Sequence, residues 1–75
     1  TLSFTLAKNS RATLKIYNPK GQLVKTIVDT DLAKGDYRYV WNGKDNGGHP
    51  VASGVYLYSL VADGKTQTHK MLLLK

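Results

Sequence analysis

Val55-Tyr56-Leu57-Tyr58-Ser59-Leu60-Val61-Ala62-Asp63-Gly64-Lys65 sets an alternating run directly before a two-residue turn signal. Tyr56, Tyr58 and Leu60 fall on one face of an extended chain, and Leu57, Ser59 and Val61 fall on the other. A period of two is the signature of a strand, because successive side chains leave a pleated backbone on opposite sides. Asp-Gly after such a run predicts a tight hairpin, since both turn residues tolerate positive φ. The stretch 65–74 is therefore expected to return antiparallel to 55–62.

The same period runs outward from this hairpin. Leu2, Phe4 and Leu6 alternate with Thr1, Ser3 and Thr5. Ala12, Leu14 and Ile16 alternate with Arg11, Thr13 and Lys15, and Tyr37, Tyr39 and Trp41 flank Arg38 and Val40. Strands are expected at 2–6, 11–17, 22–28, 37–42, 55–62 and 65–74, with a short one near 50–52. Asn18-Pro19-Lys20-Gly21 closes a second hairpin: Pro19 presets φ, and Gly21 accepts a positive value. Asp29, Asp31 and Asp36 read as a turn-rich region. Short strands with a turn every ten or so residues predict an all-β, immunoglobulin-like or fibronectin III-like sandwich of six to seven antiparallel strands. Leu14, Ile16, Trp41, Tyr56, Leu60 and Met71 are its expected core, and Tyr17 is expected on the surface.

Length and composition agree. The chain has 75 residues, no cysteine and 41% hydrophobic residues. That is one domain, 1–75, in which the core works without disulfide or cysteine–zinc support. A domain this small buries only roughly 60% of its unfolded surface. The longest apolar run, Met71 to Leu74, is far shorter than the ~20 residues of a membrane helix. The opening residues alternate, so no signal peptide is expected among them. Eleven Lys and Arg against five Asp give a net charge of +6. The cations are scattered along the sequence, which predicts a solvated surface and no specific nucleic-acid partner.

Little chemistry is expected. His49 and His69 are the only imidazoles, and no serine lies in a nucleophile elbow. Gly43 and Gly48 have phosphate-loop spacing, but His49-Pro50 stands where Lys-Ser/Thr is required. As a calcium loop, 42–48 places Lys44 among the ligands and offers no Glu. Gly43, Asp45, Gly48 and Gly54, like Gly21, are read as turn and loop formers. No catalytic residue, metal site or cofactor is expected.

Several stretches together resemble one family. These are Leu14-Lys15-Ile16-Tyr17-Asn18, Gly21-Gln22-Leu23-Val24, Gly35, Trp41-Asn42-Gly43-Lys44-Asp45, Gly48, Val51-Ala52-Ser53-Gly54-Val55-Tyr56 and Lys70 to Lys75. The chain resembles the FlgD-type immunoglobulin-like domain, named for the flagellar hook-capping protein and overlapping with C-terminal sorting domains of type IX secretion. Asn42 departs from the Asp that usually follows the family's Trp. The resemblance implies a non-catalytic terminal module of a secreted or surface bacterial protein, acting in sorting, surface attachment or assembly. Its implied location is extracellular or at the cell surface. Its implied partners are the preceding domains of the parent, with secretion machinery or cell-surface components beyond them. Lys70 and Lys75 are the candidate recognition residues. The alternatives are a carbohydrate- or ligand-binding accessory module and a flagellar hook-capping domain.

Overall fold

The computed structural model describes residues 2–74. Six antiparallel strands form two sheets: β1 (Leu2–Leu6), β2 (Ser10–Tyr17), β3 (Leu23–Leu32), β4 (Gly35–Tyr39), β5 (Gly54–Ala62) and β6 (Lys65–Leu73). The large sheet has the order β3-β2-β5-β6, and β1 pairs with β4 in the small one. The fold is an all-β immunoglobulin-like sandwich.

Alternation becomes burial between the sheets. Ala12, Leu14 and Ile16 of β2 stand beside Ala62, Leu60 and Tyr58 of β5, and the first five of these cluster with Tyr56 and with Leu2 and Leu6 of β1. Val28 and Trp41 complete this buried set. Met71 is half-buried and packs against the set from β6. It stands opposite Tyr56 on an edge strand, so no neighbour covers its far side.

The hairpin turns form as their residues dictate. Asp63 has φ 53° and Gly64 φ 69°, the pair of positive values that a twisted two-residue hairpin requires. At the other hairpin, the Asn18 side-chain oxygen accepts from the backbone N–H groups of Lys20 and Gln22, each at 3.0 Å.

Several strand boundaries differ from the sequence expectation. β4 begins at Gly35, so Asp36, read as turn, is a strand residue paired with Thr5 of β1. β3 continues to Leu32 through the Asp-containing stretch that reads as turn. Asp29 and Asp31 stand beside Arg11 of β2, at 2.9 Å and 4.0 Å, so cross-strand pairing makes them acceptable strand residues. β4 stops at Tyr39 instead of running to residue 42. Trp41 lies beyond it, turned into the interior from a loop. Near 50–52 there is no strand, only an isolated bridge between Lys44 and Pro50. Tyr17 is half-buried rather than surface-exposed, because Leu23 and Leu57 flank it on the neighbouring strands.

Leu14 is 1% exposed at the centre of β2, and Leu14→Ala should cost about 2–5 kcal/mol. Leu72 is on the sheet surface, and Leu72→Ser should leave stability within about 0.5 kcal/mol. Urea unfolding of both variants checks the contrast.

Candidate functional site

Trp41 organises the longest irregular segment. Its ring meets Tyr56 edge-on, with centroids 5.2 Å apart and planes at 76°. The indole N–H donates to the Lys44 carbonyl at 2.8 Å, and the Tyr56 hydroxyl donates to the Ala52 carbonyl at 2.6 Å. Each aromatic thus buries its body in the core and spends its polar tip on the loop. The two ends of the 42–53 loop are held from below by one aromatic pair. Tyr37 repeats the device at the opposite end, donating to the Ala33 carbonyl at 2.6 Å.

Within the loop, Asx side chains close small rings. The Asn42 oxygen accepts from the Lys44 N–H at 3.1 Å. One Asp45 carboxylate oxygen accepts from the backbone N–H groups of Gly47 and His49, each at 2.9 Å. Gly43 has φ 75° and is buried; its carbonyl accepts from the Val51 N–H at 3.0 Å. The His49 N–H bond does most to hold the Asp45 carboxyl below its ordinary value of 3.8. Partial burial opposes this, and the Gly47 N–H and the nearby His49 ring reinforce it.

Asn46 leaves the loop to bond β3. Its N–H donates to the Val24 carbonyl and its side-chain oxygen accepts from the Thr26 N–H, both at 3.0 Å. This is where β3 is irregular. Leu14 pairs with Val28 but Lys15 with Thr26, leaving Ile27 as an extra residue, and Val24 is skipped in the same way. A bulge disrupts the ladder, and Asn46 supplies the partner that the edge strand lacks.

The titratable side chains of the described residues lie in separate places. His49 lies 3.4 Å from Asp45 with an exposed side chain, and His69 packs on the Tyr58 ring with centroids 5.3 Å apart. Asp36 accepts from the Thr5 hydroxyl at 2.7 Å, so it is separated from the Asp29–Asp31 pair. Among the described residues no three His, Cys, Asp or Glu side chains converge as metal ligands. Among the same residues no helix is long and apolar enough to cross a membrane.

The structure places Lys70 exposed on the outer face of β6, opposite Leu57. Lys75 lies outside the described residues. Pairing also assembles something the sequence conceals: Leu23, Tyr17, Leu57 and Lys70 form one row across all four strands of the large sheet. Val55 and Leu72 form the adjacent pair. The signal is present in residues 55–61, which are apolar on both faces, but only the register shows which face lacks a cover.

Two packed antiparallel sheets with aromatic-pinned loops define an immunoglobulin-like β-sandwich module. The FlgD Ig-like domain family model matches residues 1–66, and the chain belongs to that family of non-catalytic modules. Among solved structures it is similar to FlgD from P. aeruginosa, with 30% identity and a TM-score of 0.68. The match covers 95% of this chain and 57% of that one. No curated protein matches the chain.

Trp41→Ala should cost about 3–5 kcal/mol. Trp41→Phe should cost less, about 1 kcal/mol, because it keeps the packing and loses the Lys44 bond. Denaturant melts measure both.

Asp45 gives a pH prediction of definite sign. Its folded pKa is lowered, so its stabilisation is complete above the ordinary carboxylate value. It is lost as pH falls through the lowered one. The protection of the Gly47 and His49 amides against exchange, relative to the intrinsic rate at each pH, should fall across that acid window. In Asp45→Asn this step should disappear.

Proposed function

We propose that the chain is a structural assembly module of a bacterial flagellar or surface protein, working as hook-capping FlgD domains do. The observation that carries this reading is the alignment of nearly the whole chain with a FlgD structure at 30% identity. A rigid sandwich with stapled loops suits a part that must hold shape while neighbouring subunits are added or exchanged. The comparison ranks the hook-cap reading above the sorting module that the ending Lys70 to Lys75 suggests. Sorting stands as the second reading because Lys70 is exposed on a strand surface, where a receptor can reach it.

Replacing residues 2–74 in the parent protein by an unrelated small sandwich, in the source bacterium, separates the two. The assembly reading expects a parent that is still exported and a hook or surface structure that fails to form. Loss of export would instead support sorting. Lys70→Ala, with its melting temperature checked, should leave export unchanged; loss of export with an unchanged melting temperature would overturn the assembly reading.

A further inference from the structure

The outer face of the large sheet is divided lengthwise. At the end where β2 begins, the acids are matched: Arg11 bridges Asp29 and Asp31, and Lys8 lies 3.2 Å from Asp63. Asp36 belongs to this end as well, opposite Thr5 near the end of β1. Toward the other end the outer face and its turn carry Lys15, Lys20 and Lys70. Lys25, in register with inward Ile16, and Lys44 of the 42–53 loop lie at that end off the face, and Asp45 is the only acid of the described residues there. Asp45 is turned to His49 and its own loop. The charge excess that looks scattered along the sequence is gathered in space at one end.

The apolar row occupies that same end. Leu23 is 48% exposed, Val55 46% and Leu72 62%, with half-buried Tyr17 and Leu57 between them. Leu74, just past β6, is 77% exposed. Lys15 lies two residues from Tyr17 on the same face, and Lys70 continues the row. At the acidic end, by contrast, the outer face presents Thr13, Val61 and Thr66 in line. A contiguous apolar patch with a polar rim marks an interaction surface, whereas a lone exposed valine does not.

We infer that Leu23, Tyr17, Val55, Leu57 and Leu72, rimmed by Lys15, Lys20 and Lys70, form a docking face for an acidic protein surface carrying apolar side chains. The inference rests on the assembly reading above and names the face that reading needs. Charge complementarity selects the partner: a rim of lysines steers an acidic surface and repels a second copy of the same cationic end. The flat face offers no protruding apolar loop to enter a lipid layer. Tyr17 is its one aromatic residue, which leaves no platform on which successive bases could stack. The adjoining Asn18–Gln22 turn is locked by its side-chain bonds, so Lys20 is presented with little ordering left to do.

A synthetic peptide of alternating Leu and Glu is the probe, followed by backbone amide NMR on the full chain. Shifts should map to Tyr17, Leu23, Val55, Leu57 and Leu72. A Ser–Glu peptide should bind about tenfold more weakly, the effect of losing roughly one buried apolar side chain. A Leu–Lys peptide should not bind. The double variant Leu23→Ser, Leu72→Ser should lose the Leu–Glu peptide at an unchanged melting temperature. Lys15→Glu with Lys70→Glu should exchange the preference toward Leu–Lys. Shifts confined to another face, equal binding of the Ser–Glu peptide, or undiminished binding by the double variant would overturn the inference. So would phosphatidylserine vesicles or duplex DNA shifting this face while the Leu–Glu peptide does not. Normal assembly of the parent carrying Leu23→Ser and Leu72→Ser, beside failed assembly of the domain replacement, would overturn this face and leave the assembly reading standing.

Discussion

The edge-to-face contact between Trp41 and Tyr56 is the constraint on which the irregular half of the molecule depends. A small sandwich has few large side chains to spend, and here two of them are each 7% exposed. Their edge-on geometry contributes about 0.5–1.5 kcal/mol beyond burial. The larger consequence lies in their polar tips. An indole N–H and a phenol O–H cannot be buried cheaply without acceptors. Lys44 and Ala52 supply those acceptors from the loop itself. Satisfying the core therefore fixes the loop, and the fixed loop places Asn46 on β3. The loop's backbone order is thus inherited from the packing beneath it.

The edge strands are handled by different means. β3 carries two irregularities, and its exposed backbone meets Asn46 at Val24 and Thr26. β6 has no such cover, and its polar and charged residues from Lys65 to Lys70 suit an edge that must not recruit another chain. Its apolar residues are confined to the end, where Met71 and Leu73 turn toward the core and Leu72 turns away. The sheet's defence against indiscriminate pairing and its apolar face lie side by side on one strand.

Much of this was legible in the residues because strand physics is local. Alternation identified the six strands, and Asn18–Gly21 and Asp63-Gly64 located both hairpins. Leu14, Ile16, Trp41, Tyr56 and Leu60 are buried where alternation placed them toward a core. What was illegible depended on partners distant in sequence. Asp29 and Asp31 look like turn residues until Arg11, eighteen positions from Asp29, stands beside them. Trp41 reads as the next tooth of the Tyr37–Tyr39 alternation, yet its indole requires an acceptor that only a loop carbonyl provides. Leu23 and Leu72 read as strand interior, because a single strand does not reveal which of its faces the second sheet covers.

The incomplete cover has a geometric cause. The small sheet has two strands and the large one four. The small sheet shelters only the inner face, and the outer face of the large sheet is left entirely to its own side chains. Threonine, serine and paired charges meet that requirement over the half nearest Arg11. They would also have met it at the far end, where Tyr17, Leu23, Leu57 and Leu72 stand instead. Alternation needed for the core does not demand apolar residues at those positions, since they point away from it. Their presence beside lysines without a salt-bridge partner among the described residues is a property of the surface and not of the fold, because no core contact requires it.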